Sequence, residues 1–181
     1  EIQLSNGALL RQSKTRDIAA SYRIVMNRLA TIELTCGQRI VTPSLQVLSS
    51  SVVRATVTGC PATQPAALLL GGVNSPIDSP DLTVDTLSEV SEVGHITVKG
   101  EALIMGRVHS TTDIMMDVHQ LAISILGSLA AATINVTSLE VTLDGKVQAA
   151  QVVGQAGSSC SPKLLRCPSI FDANPDDPCR Y

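Results

Sequence analysis

ITVKGEALIMGRV at residues 96–108, IMMDVHQLAISILGSL at 114–129 and INVTSLEVTLDGKV at 134–147 are three copies of one pattern. Each opens with apolar residues at alternate positions and runs through a second alternating stretch. Each then sets a glycine, Gly106, Gly127 or Gly145, two residues before an aliphatic one. The copies open 18 and 20 residues apart. A recurrence of about that length marks a chain that coils and stacks on itself, each coil burying aliphatic residues against the next.

Alternation argues for strands, because successive side chains of a strand point to opposite faces. It groups Leu103 with Met105, Leu121 with Ile123 and Ile125, and Leu139 with Val141 and Leu143. The three glycines then fall at matching corners, where the backbone turns tightly. The pattern resembles β-solenoid architecture in general, so the expected fold is all-β, with coils like those of a parallel β-helix. An antiparallel β-sandwich competes for the same residues. Asp144-Gly145 is a strong hairpin dipeptide, and a loop there sets Leu143 opposite Val147. Gly106 and Gly127 lack the Asn or Asp that hairpins prefer, whereas coiling accounts for all three glycines together.

Outward from this block the chain divides in three: an arm with a candidate amphipathic helix at 1–30, a β-rich domain at 31–154, and a cysteine-bearing tail at 155–181. Ile2 and Leu4 alternate ahead of a Ser5-Asn6-Gly7 turn signal, which suggests a free arm. Ile18, Tyr22, Val25 and Leu29 recur at helical spacing and predict a helix over 13–30 that caps the stack. The alternation of Tyr22, Ile24 and Met26 offers a strand instead. Short strands follow over 31–59, and 61–80 reads as a long loop with one embedded strand at 66–70. Residues 155–159 have linker composition.

Composition narrows the classes of function. The 181 residues carry a net charge of −3, 16% charged side chains and no basic stripe, which argues against nucleic acid as a partner. Tyr22, Phe171 and Tyr181 are its aromatic residues. Stacking platforms for sugars or single-stranded bases cannot be built from so few. The apolar windows are too short and too alternating for a membrane-spanning helix, and no membrane span is expected. Glu1 begins the chain without an initiator Met or a signal-like start, as a mature processed chain would, and a trimmed chain looks the same.

Cys36, Cys60, Cys160, Cys167 and Cys179 show no CxxC pair and no zinc-finger spacing. They read as disulfide candidates of a secreted protein, with Cys36 and Cys60 placed to staple neighbouring strand ends. Their odd number leaves one over for an intermolecular bond or a buried thiol. Asn135-Val136-Thr137 is an N-glycosylation sequon with Asn135 expected to point outward.

His95, His109 and His119 lie near Asp113 and Asp117 but lack HxH or HxxxH spacing, so solvent-facing histidines are expected. Asp81 with Asp85 and Asp113 with Asp117 are acid pairs of the kind a β-helix lyase or hydrolase would use. No GxSxG elbow supplies a nucleophile, and Gly71-Gly72 is followed by no Lys to hold phosphate. No catalytic, cofactor or metal residue is therefore assigned. The expected function is a secreted, extracellular, non-enzymatic structural protein that self-associates as a homo-oligomer or polymer, up to a filament. The alternatives are a monomeric adhesion or ligand-binding module presenting 61–80 and, behind it, a polysaccharide lyase or hydrolase.

Overall fold

The computed structural model describes residues 1–11, 16–56, 61, 64–72 and 80–160, excluding the side chains of Leu139 and of 154–160. Among the described residues fourteen strands form one sheet: β1 (Ile2–Leu4), β2 (Leu9–Arg11), β3 (Ile18–Ala19), β4 (Arg23–Met26), β5 (Thr31–Leu34), β6 (Arg39–Thr42), β7 (Ser44–Val47), β8 (Val52–Ala55), β9 (Ala67–Gly71), β10 (Leu82–Val84), β11 (Glu89–Ile104), β12 (Arg107–Ile123), β13 (Ser128–Leu143) and β14 (Lys146–Cys160). Every pairing is parallel. The result is a β-solenoid of about six turns, and the antiparallel sandwich is set aside.

Each turn has three faces. The first holds β2, β5, β8 and the opening segments of β11 to β14. β3, β6, β9 and the middle segments build the second. The third consists of β1, β4, β7, β10 and the closing segments. The later strands are long because they keep their pairing while bending round the corners.

Parallel register stacks like on like. On the second face Ile18, Ile40, Leu68, Ile96, Ile114, Ile134 and Val152 form one inward column. On the third, Ile24, Leu45, Leu82, Ala102, Leu121 and Val141 form another. Most of these side chains are wholly buried. Branched and unbranched aliphatics suit such columns because each fills the pleat of the coil beneath it. With almost no aromatics, the core stays a narrow tube of stacked aliphatic layers.

The corner between the third and first faces explains the glycines. Arg107, Ser128 and Lys146 share one register position, so Gly106, Gly127 and Gly145 line up immediately before it, as expected. Ala8, Ala30, Ser51 and Ser88 continue the column through the earlier turns. A Cβ on Gly106 would meet the carbonyl oxygens of Asp85 and Ser88, and one on Gly145 those of Ser124 and Gly127. A Cβ on Gly127 would meet the carbonyl oxygen of Ile104, so at all three glycines the chain passes too close to the coil below for a side chain.

Several expectations fail here. No helix occurs among the described residues, and the predicted capping helix over 13–30 is replaced by β3 and β4. Ile24 and Met26 point into the core while Tyr22 and Leu29 are exposed, so the period of two prevails over the helical spacing. The free arm is likewise absorbed, because β1 pairs with β4 and β2 with β5. Ile125 does not share the inward face of Leu121 and Ile123. It lies in a four-residue corner and is 79% exposed. The strand embedded in 61–80 is β9, with Leu68 and Leu70 inward, and β14 runs on through the linker-like residues to Cys160. Residues 161–181 lie outside the described residues. Among the described residues no helix is long and apolar enough to cross a membrane.

Candidate functional site

Stacking at coil spacing brings together side chains about one turn apart in sequence, and polar contacts of the early coils follow that rule. On the first face Glu33 is held between Arg11, at 2.9 Å, and Arg54, whose Nε donates at 3.0 Å. Glu1 meets Arg23 at 2.9 Å, and Asp17 meets Arg39 at 2.6 Å, one coil apart in each case. The Arg54 hydrogen bond, and then the charges of Arg11 and Arg54, hold the Glu33 carboxyl below its ordinary value of 4.5. Hydrogen bonding by Arg39 lowers Asp17 in the same way, and Arg39 rises in response.

A depressed folded-state pKa means that the unfolded chain binds more protons as pH falls. The Glu33 contribution to stability is therefore full above about 4.5 and is lost as pH drops through the lower folded value. Glu33→Gln is expected to flatten the acid limb of a stability-against-pH curve while leaving its shape near neutrality unchanged. Urea melts at a series of pH values check this, and an unchanged acid limb would count against it.

The histidines and acids singled out in the sequence do not assemble into one centre. His95 Nδ1 contacts Asp113 Oδ1 across adjacent coils of the second face. His109 lies on the first face, beside Ala130 in register, and His119 stands at the corner between the second and third faces. Its carbonyl accepts a 3.4 Å hydrogen bond from Ser138 Oγ. Asp113 and Asp117 share a strand four residues apart, ~13 Å at the usual rise. Paired acids of glycoside hydrolysis stand about 5–9.5 Å apart. Asp81 is buried at a corner, where its carboxylate accepts the Glu101 N–H at 3.0 Å, and Asp85 caps Thr86 at 2.7 Å in another corner. Among the described residues no group of three or more His, Cys, Asp or Glu side chains converges to hold a metal ion.

A groove of about 390 Å³ runs along the corner between the first and second faces, lined by His109, Ser110, Thr111, three successive alanines at 130–132, Gln148, Ala149 and Ala150. Its floor is made of methyl groups. Ser110 Oγ does not serve it, since it donates within the fold to the carbonyls of Gly94 and Asp113.

Asn135 stands on the outward side of the second face, between Met115 and Val153 in register, while its neighbours Ile134 and Val136 are buried. Cys36, in the turn after β5, is disulfide-bonded. Cys60, Cys167 and Cys179 lie outside the described residues, as does the side chain of Cys160.

The ends of the stack complete the inventory. Among the described residues β1, β2 and β3 pair on one side only, and β14 pairs only with β13. Ile2, Leu4 and Leu10 at one end and Val147 and Val152 at the other are only partly buried, although their columns are covered in between. The sequence reading missed the charge ladder. Its signal was present, since the partners are separated by 21 or 22 residues. No family model, curated protein or solved structure matches the chain.

Proposed function

We propose that this chain is a secreted, non-enzymatic structural protein whose coils add end to end into a filament. The observation that carries the reading is the pair of ends among the described residues: parallel strands paired on one side only, over aliphatic columns that stop half covered. Unpaired edges of this kind recruit further strands, and head-to-tail addition does not close on itself. Laying β2 of one copy on β14 of another sets Leu10 over Val147 and Ile18 over Val152, and β1 of the added copy takes the third-face place of Ser159 and Cys160, which give way to it. Both columns continue without a change of residue class. The bonded Cys36 and the outward Asn135 support a secretory route. Cys60 is the partner proposed for Cys36, because the adjacent Pro61 accepts from Gln64, whose own carbonyl accepts from Gly37.

Electron microscopy of the purified, non-reduced protein tests the proposal, with fibre diffraction and non-reducing electrophoresis of the same sample. Filaments with an axial reflection near about 4.8 Å are expected, and Leu10→Asp is expected to abolish them without altering the far-ultraviolet circular dichroism. Uniform single particles from the parent protein would sink the filament. A monomeric adhesion or ligand-binding module would then take its place.

A further inference from the structure

The corner between the third and first faces carries a ridge of exposed aliphatic side chains that neither the core nor the ends of the stack use. Seven such corners follow one another along the axis, at residues 5–8, 27–30, 48–51, 85–88, 105–106, 124–127 and 144–145. Eight large apolar side chains are exposed among the described residues, and five belong to this ridge or adjoin it: Leu9, Leu29, Leu87, Ile125 and Leu126. Such concentration differs from the scattered exposure of an ordinary surface.

The leucines are spaced regularly. Leu29, Leu87 and Leu126 each occupy the third position of a four-residue corner, in the second, fourth and sixth corners, about 9.6 Å apart at two coils per step. The corners between them are low. The third presents Ser49 and Ser50, the fifth has two residues instead of four, and the first presents Asn6 and Gly7. Leu29 holds φ +65°, in the left-handed region that Gly7 and Ser50 occupy at the same point of the first and third corners, so the turn sets its backbone and leaves its side chain 66% exposed.

We propose that this ridge binds a second copy of the chain, antiparallel, about a twofold axis between the third and fourth corners. That operation sets the second corner against the fifth, the fourth against the third and the sixth against the first. Each leucine then enters a low corner of the partner: Leu29 above the short 105–106 corner, Leu87 above the serines, Leu126 above Gly7 with Leu9 beside it. Along the adjoining first face, Glu89 meets Val52, and Arg107 meets Thr31, so no like charges oppose in that column. A parallel pair would instead stack leucine tip on leucine tip at every second coil. Lateral pairing at the ridge does not depend on the ends.

The test uses the full chain in a Leu10→Asp background, which removes end-to-end addition. Sedimentation is expected to give a mass of two chains, and Leu87→Asp with Leu126→Asp a mass of one. These side chains are 78% and 67% exposed, so the fold is expected to survive. Orientation is read from cysteines placed by Leu29→Cys and Met105→Cys together. Within one chain these positions are three coils apart, ~14 Å, beyond the reach of a disulfide at about 7 Å. Oxidation is expected to yield a covalent dimer above the parent's background for the double variant and not for Leu29→Cys alone. A single-chain mass before the Leu87 and Leu126 substitutions, a dimer that persists after them, or equal cross-linking by Leu29→Cys alone would each overturn the proposal.

Discussion

Replacing Gly100 by alanine is expected to destabilise the protein by several kcal/mol, more than any surface change. Gly100 turns the chain from the second face to the third with φ +118°. That conformation costs a residue with a side chain about 1–3 kcal/mol by itself. The added Cβ would also overlap the carboxylate of Asp81, which is 3% exposed and accepts the Glu101 N–H at 3.0 Å. Moving the carboxylate breaks a hydrogen bond to a charged group, a loss of about 1.5–3 kcal/mol. Asp81 also ties three coils through its backbone. Its N–H donates to Glu101 and its carbonyl accepts from Leu45, both at 2.9 Å.

Gly7→Ala is the control, since Gly7 has φ +74° and nothing within 4 Å of an added Cβ. It isolates the backbone part of the cost. Denaturant melts of the two variants are expected to differ by the collision alone. Equal losses would show that Asp81 moves freely and that the corner is less tightly built than its hydrogen bonds imply.

The second large effect is expected at Ile96. Its side chain is wholly buried between Leu68 of the preceding coil and Ile114 of the next. Truncation to alanine at such a site costs about 2–5 kcal/mol, and Ile96→Val only about 0.5–1.5 kcal/mol. In a compact domain the gap would have neighbours on all sides to collapse into it. In a stack, the coupling between the early and late coils passes through a few columns, and Ile96 stands near the middle of one. Ile96→Ala is therefore expected to lower the denaturant slope as well as the midpoint, as the two halves begin to unfold separately. Hydrogen exchange would show the same change as a loss of equal protection across the break. A shifted midpoint with an unchanged slope would mean that the remaining columns keep the stack cooperative.

The late coils were legible from sequence because their glycine corners recur at intervals of 18 and 20 residues. The early coils use Ala30 and Ser51 at the same point, and without the glycine the recurrence went unseen. Over 13–30 the residues that fall at helical spacing are partly corner residues, and a corner obeys neither period. Ile125 departs from the face of Leu121 and Ile123 for a related reason. Alternation continues formally past Ile123, but nothing in the local sequence says that this corner has four residues and not two. The contact of His95 with Asp113 was within reach, since the step that carries Ile96 onto Ile114 carries one onto the other. The leucine ridge was not within reach. Its members are unremarkable singly, and their spacing in the fold differs from their spacing in the chain because β9 and its flanking segments lengthen one turn.

That lengthened turn shows how the architecture takes up extra chain. Leu45 and Leu82 are register partners although residues 46–81 lie between them, whereas Leu82 and Ala102 are partners one ordinary coil apart. The aliphatic column passes from one to the other without a break. Faces admit no change of length, and corners admit a great deal. The molecule is in effect a ruler graduated in steps of about 4.8 Å, and peptide inserted at successive corners of one edge would stand at heights set by the coil that bears it.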